Sequence, residues 1–188
     1  QGGLTLGRNC PRNPGPLHLR PILPWLILFD DEIRHKARGI APEAAVEGGD
    51  AAHLPLAERQ ALLGDIVRRI AEDEDDHSAR DNSAIARIAQ PDLSNDVLRL
   101  IGDHRTNDDA LSFLGRLVWQ GEMTACVPPL SAIAVDPDRG IYARIAATRA
   151  VMTCGGRDQK NHLLGQLSTS PGVLPRKLLA EVLEGADL

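Results

Sequence analysis

The amino-acid sequence predicts an all-α fold, a HEAT-like α-solenoid of stacked helix pairs. Leu and Ala dominate the chain of 188 residues, and the only aromatic side chains are two Trp, two Phe and one Tyr. Strands are enriched in β-branched and aromatic residues, so this composition favours helices. No segment alternates with period two for long enough to form a sheet, and one helical pattern occurs twice.

The repeated pattern lies between Asn107 and Gly156 and has a spacing of 33 residues. Apolar residues at i, i+3, i+4, i+7 and i+8 mark one buried helical face. Stacked helix pairs with such faces are typical of α-solenoids. A second offset of the same length carries the pattern into a last helix. The first offset matches Ala110, Phe113, Leu114, Leu117 and Val118 with Ala143, Ala146, Ala147, Ala150 and Val151. The second matches Ile145, Ala146, Ala147 and Ala150 with Leu178, Leu179, Ala180 and Leu183.

Composition divides the chain into four segments. Residues 1–20 are rich in Gly, Pro, Asn and Arg, which predicts an irregular lead-in. An N-terminal helical zone is expected at 21–72, followed by an acidic loop at 73–80. Residues 81–188 are expected to form the HEAT-like repeats.

Capping residues and breaks place the helices of the N-terminal zone. Asp30 or Asp31 can cap a first helix, and Pro42 begins a short second one. After a break at Gly48-Gly49-Asp50, apolar residues recur at helical spacing up to Glu72. These residues are Leu62, Leu63, Ile66, Val67 and Ile70.

The second zone has boundary signals of the same kind. Asn107 is a suitable N-cap, and the acidic pair Asp108-Asp109 complements the dipole in the first turn. Asp138 can cap the helix that ends at Gly155-Gly156. The remaining boundaries are predicted at Pro91, Gly102, Pro128-Pro129 and Pro175.

Charge, cysteines and hydropathy exclude several classes of protein. A net charge of −5 leaves no general nucleic-acid footprint, which argues against a nucleic-acid partner. Three cysteines without a C-x-x-C pair argue against a disulfide framework or zinc site and indicate a reducing cytoplasm. The longest apolar run, 22–29, is too short to span a bilayer. A start at Gln1 rather than Met suggests a fragment.

No catalytic, cofactor-binding or metal-ligating residue is predicted. The chain has no G-x-x-x-x-G-K-[ST], G-x-S-x-G or H-E-x-x-H motif. Asp103-His104 with Asp108-Asp109 is the most enzyme-like cluster, but it reverses the His-Asp order of metal-dependent helical phosphohydrolases. The aspartate pair already has an explanation in the first turn of a helix.

Four further features have a simpler structural interpretation than a functional one. The acidic run 72–77 is consecutive rather than convergent, which favours a solvated loop over a cation site. Gly155-Gly156-Arg157 precedes a helix and could meet an anion, but a helix end is simpler. Trp119 is expected in the core. Rather than forming a basic stripe, Arg139, Arg144, Arg149 and Arg157 are expected to pair with Asp136, Asp138 and Asp158 or to stay hydrated.

Four segments carry a family resemblance: WLILFDDEIRHKARGIAPEAAVE with the following GGDAAHLPLAERQALL, NDDALSFLGRLVWQGEMTACVPPL, and DRGIYARIAATRAVMTCG. From about Leu23 to Leu188 the chain resembles the helical-repeat region of large bacterial NACHT-containing proteins. These are signal-transduction NTPases of the STAND class, several of which act in antiphage defence. The resemblance implies HEAT-like repeats for sensing or assembly. No nucleotide-binding motif of the family has a counterpart here, so ATP chemistry would belong to an upstream module.

The resemblance implies a non-catalytic scaffold or sensor segment of a larger NACHT/STAND-type signalling NTPase. The alternatives are a free-standing HEAT-like adaptor and a metal-dependent helical hydrolase built around Asp103, His104 and Asp108. Expected partners are other domains of the same polypeptide and other proteins, with no cofactor and no membrane. The last helix has no evident capping partner after Leu188, so self-association through the C-terminal face is expected.

Overall fold

The computed structural model of the chain describes residues 21–169 and 174–185. These residues form α-helices and short 3-10 turns, with no strand among them, which confirms the all-α prediction. The predicted lead-in at 1–20 lies outside the described residues. The helices are α1 (Leu23–Phe29), α2 (Asp31–Ile40), α3 (Ala44–Glu47), α4 (Leu56–Ala71), α5 (Asn82–Ile88), α6 (Ser94–Asp103), α7 (Asp108–Gln120), α8 (Val127–Val135), α9 (Ile141–Cys154), α10 (Arg157–Ser168) and α11 (Arg176–Gly185). The 3-10 turns are Ala51–His53, Ser78–Arg80, Pro91–Leu93 and Thr124–Cys126.

Two of the predicted N-caps are confirmed. The Asp30 carboxylate accepts a hydrogen bond from the backbone N–H of Ile33 at 2.9 Å, at the start of α2. The Asn107 side chain accepts one from the N–H of Ala110 at 2.9 Å, at the start of α7. Each cap satisfies a backbone donor that has no partner within its helix.

Two predicted boundary details around α9 are wrong. The N-cap of α9 is Gly140 rather than Asp138, because the helix begins only at Ile141. Asp138 lies in the preceding turn, where its backbone N–H donates to the Asp136 carboxylate at 2.9 Å. The helix does end before Gly155, as expected. Gly155, however, has φ −74° and ψ 146°, which is extended rather than the left-handed conformation of a common glycine cap.

Odd-numbered helices contact one another in chain order. α1 contacts α3, α3 contacts α5, α5 contacts α7, α7 contacts α9, and α9 contacts α11. The most extensive of these contacts joins α7 to α9. We call these six helices the odd row.

Even-numbered helices lie side by side in the same way. α4 contacts α6, the 3-10 turn 124–126 joins α6 to the start of α8, and α8 contacts α10. Arg38 of α2 donates to Asp65 of α4, with Nε 3.0 Å from Oδ2. We call α2, α4, α6, α8 and α10 the even row. It packs on the odd row where α6 meets α7 and α8 meets α9.

The 33-residue register decides which side chains of α7 and α9 are buried. Every buried position of α7 has a buried counterpart 33 residues later in α9, so the predicted register is confirmed for these two helices. The α7 positions are Ala110, Leu111, Phe113, Leu114, Gly115, Leu117 and Val118. The α9 positions are Ala143, Arg144, Ala146, Ala147, Thr148, Ala150 and Val151.

The third copy of the pattern is buried only in part. Leu178 of α11 is fully buried against the core, but Leu179 is 40% exposed and Leu183 is 62% exposed. Ala180 is also exposed. Among the described residues α11 packs mainly on α9, so one side of the helix is covered and the other faces solvent.

An arginine of the N-terminal zone pairs with an aspartate of the helices that follow. Buried Arg59 of α4 donates to both carboxylate oxygens of Asp92, at 2.7 Å and 2.5 Å.

The sequence predicted a solvated loop for the acidic segment between the zones, but the structure buries one of its carboxylates. The Asp75 side chain is fully buried and accepts two hydrogen bonds from Arg80, at 2.8 Å and 2.6 Å. Burial raises the pKa of Asp75, but Arg80 outweighs it and lowers this pKa overall.

Candidate interaction surfaces

The most enzyme-like cluster of the sequence does not converge in the fold. Asp103 accepts a hydrogen bond from Arg99 at 3.0 Å, and His104 is the C-cap of α6. Asp108-Asp109 begins α7, where Asp109 pairs with Arg80 at 3.1 Å. In the part of the chain that the structure describes, no three His, Cys, Asp or Glu side chains could hold a metal ion together.

Of the two described thiols, Cys126 is buried and Cys154 is half-buried, and both point at backbone carbonyls. Cys126 donates to the carbonyl of Ser94 at 3.4 Å, and Cys154 donates to that of Val118 at 3.5 Å. Burial raises the pKa of Cys126 to about 11 and also raises the pKa of Cys154. Because the thiolate is the reactive form, neither side chain is suited to nucleophilic chemistry at neutral pH.

None of the described helices combines the length and the apolar character needed to cross a bilayer. The apolar segment 22–29 is folded instead into the short helix α1, which packs on α2 and α3. Its outer side exposes Trp25 by 51% and Phe29 by 82%.

The predicted arginine pairing is confirmed at one position and wrong at two others. Arg139 lies 3.4 Å from the Asp136 carboxylate. Arg144 is buried and donates instead to the backbone carbonyl of Ala134 at 3.2 Å. Arg149 pairs with Glu181, a residue that the sequence interpretation had not considered.

Arg149 connects three helices of the odd row. It donates to both carboxylate oxygens of Glu181 on α11, at 2.6 Å and 2.5 Å. Its guanidinium also stacks on the ring of Trp119 on α7, 4.9 Å from the ring centre. Trp119 is therefore not a plain core residue as expected: it packs on the core while Arg149 covers the ring. A cleft of about 360 Å³ opens beside this group, walled by Thr153 and Glu184 among others.

Arg116 occupies the position on α7 that Arg149 occupies on α9, 33 residues later. It donates to the side-chain carbonyl of Asn82, and no carboxylate among the described residues lies in ion-pair distance of it. Burial lowers the pKa of Arg116; nearby Asp81 opposes that effect, and the charge of Arg149 adds to it. The odd row thus presents two guanidinium groups and a tryptophan, which are residue types enriched in protein-binding hot spots.

The even row has two hollows, one on each side of α8. Its sequence, VPPLSAIAV, contains no charged residue, and Pro128 and Ala132 are exposed on its outer side. A hollow of about 620 Å³ lies between α6 and α8, and one of about 570 Å³ lies between α8 and α10. The two hollows share Ala132, so they form one continuous surface, which we call the α8 trough. Its apolar floor consists of Leu98, Ile101, Pro128, Pro129, Ala132 and Ile133.

The two ends of the α8 trough carry opposite charge. Arg105 and Arg139 line it near the C-terminal end of α8, together with Asp136. Asp158 lines it near the N-terminal end, next to Val127. Arg105 is exposed, and no carboxylate of the described residues pairs with it. Sequence reasoning missed this surface, although the uncharged stretch 127–135 was a signal for it.

No protein-family model, curated protein or solved structure matches this chain.

Proposed function

We propose that this chain is a non-catalytic, HEAT-like helical-repeat scaffold that binds proteins, as the sensor or scaffold segment of a larger NACHT/STAND-type signalling NTPase. The observation that supports it is the match between buried positions of α7 and α9 at a spacing of 33 residues. Helix pairs that repeat in this way stack into α-solenoids, which expose long continuous surfaces to partners.

The exposed residues favour a protein partner over a nucleic acid. Arg149 is already paired with Glu181, and Glu184 lies in the same cleft. Carboxylates at this position would repel a phosphate backbone, whereas a protein partner can supply both signs of charge. The net charge of −5 acts in the same direction.

The link to a NACHT-type NTPase is supported by the family resemblance of the sequence, and it extends to a role in antiphage defence. Sequencing the rest of the open reading frame tests it. A phosphate loop and NACHT-type module encoded upstream are the expected result. A stop codon followed by a start near Gln1 would instead favour a free-standing HEAT-like adaptor.

The competing enzyme is a metal-dependent hydrolase built around Asp103, His104 and Asp108. Metal analysis of the purified chain, followed by phosphatase and NTPase assays, separates it from the scaffold. We expect no stoichiometric metal and no turnover. Bound metal together with turnover that is lost in His104→Ala, but kept in the control His162→Ala, would replace the scaffold proposal.

The C-terminal face is proposed to self-associate. Leu179 and Leu183 of α11 expose apolar surface at the end of the odd row. Light scattering of the chain should show mass increasing with concentration, and Leu183→Glu should reduce that increase. Leu56→Glu, at a leucine 41% exposed on α4, is the control and should not change it. A strictly monomeric chain would contradict this proposal.

A further inference from the structure

A partner helix can pack directly on α8. Packed helices lie about 8–10 Å apart, and α8 exposes Pro128 and Ala132 on its outer side. A helix with its side chains is about 10–12 Å across, so one that lies on α8 also reaches the hollows on either side of it.

We propose that the α8 trough binds an amphipathic α-helix of a protein partner. The inference rests on the proposed scaffold function and names the partner's chemistry. α8 has nine residues, so the floor is about 14 Å long and accepts two to three turns of a partner helix. Apolar side chains at i, i+3, i+4 and i+7 of that helix would cover Pro128, Ala132 and Ile133.

Backbone hydrogen bonding favours a helix over an extended peptide. An extended segment leaves its N–H and C=O groups without partners unless a sheet edge supplies them, and the described residues contain no strand. A helix satisfies these groups internally and needs only an apolar floor, which the uncharged α8 provides.

The charges at the two ends set the polarity of the partner. Arg139 is already paired with Asp136. Arg105 is therefore the charge that favours acidic residues at one end, and Asp158 at the other end favours a basic one. The occupant is therefore a helix whose apolar stripe lies between an acidic end and a basic end.

Three synthetic helical peptides of about 14 residues test this geometry. All share the same leucine stripe: one has glutamates at one end and lysines at the other, one is acidic at both ends, and one is basic at both ends. Fluorescence anisotropy of the labelled peptides with the full chain measures binding. The mixed-charge peptide should bind about tenfold more tightly than either of the others.

Ala132→Glu places a charge on the apolar floor of the α8 trough and should weaken binding of the mixed-charge peptide at least about tenfold. Ala86→Glu, the same change at an exposed alanine of α5 in the odd row, is the matched control. Arg105→Glu should shift the preference toward the basic peptide. Because Arg105 is exposed, this variant decides the question even if Ala132→Glu fails to fold.

Three outcomes would overturn the proposal: no binding of any peptide, equal binding of all three, or binding unchanged by both Ala132→Glu and Arg105→Glu. Binding that persists in those variants and is lost in Trp119→Ala would move the partner to the odd row and leave the scaffold function standing. The open reading frame and the metal analysis test that function separately.

Discussion

Gly115 on α7 sets how closely this helix approaches α9. A Cβ added at this position would lie 3.0 Å from the Cβ of Ala146, 3.1 Å from its carbonyl carbon and 3.2 Å from the nitrogen of Ala147. Carbon atoms normally pack about 3.5–4.0 Å apart, so Gly115→Ala requires the two helices to separate by about half an ångström. α9 also packs on α8 and α11, so it cannot shift freely.

Two opposing effects decide the sign of this substitution. Replacing glycine by alanine inside a helix stabilises it by about 1 kcal/mol. Overpacking a core contact costs about 1–3 kcal/mol, and here the obstructing atoms include backbone, which no change of rotamer can move. We expect Gly115→Ala to destabilise the protein by about 1 kcal/mol net.

Gly64 on α4 is the matched control. A Cβ added there meets no atom within 4 Å, so only the gain in helix propensity remains. Gly64→Ala should therefore stabilise the protein by about 1 kcal/mol, which places the two variants about 2 kcal/mol apart. Urea unfolding followed by far-UV circular dichroism measures the difference, with unchanged m values as the check for two-state behaviour. If Gly115→Ala proved as stabilising as Gly64→Ala, the close approach of α7 and α9 would be refuted.

Three further predictions follow from single groups. Arg149→Ala removes the bidentate pair that holds α11, so hydrogen exchange of residues 176–185 should accelerate about tenfold. Arg149→Lys should restore only part of the protection from exchange. Unchanged exchange would show that the pair does not hold this helix. Hydrogen bonding to Arg59 lowers the pKa of Asp92 in the folded protein. The Arg59–Asp92 pair therefore contributes its full stability above a pH of about 4, and this stability is lost as the pH falls through the lowered pKa of Asp92. In Asp92→Asn the midpoint of urea unfolding should therefore decrease less with falling pH than it does in the unchanged protein. A variant that kept the full dependence on pH would contradict this prediction. With its pKa raised to about 11, Cys126 is about one-thousandth thiolate at a pH of about 8, so alkylation should be slow in the native protein and fast in urea.

Most helix positions, and the buried faces of α7 and α9, could be predicted from the sequence alone. Helical periodicity is a local property, because residues three and four apart share a face whatever that face packs against. The cap at Asn107 and the matched buried positions of α7 and α9 were therefore readable from spacing. The cap predicted at Asp138 was wrong because Asp138 belongs to the turn before α9, which begins only at Ile141.

The partners of the charged groups were decided only by the tertiary structure. Arg149 meets Glu181, which lies 32 residues away, because consecutive odd-row helices pack side by side. Spacing shows which face a residue is on but not which distant side chain lies opposite to it. The pattern of α11 repeats that of α9, yet Leu183 is exposed while its counterpart Ala150 is buried. An apolar stripe becomes core only when helices cover both of its sides, and the described fold covers α11 on one side alone.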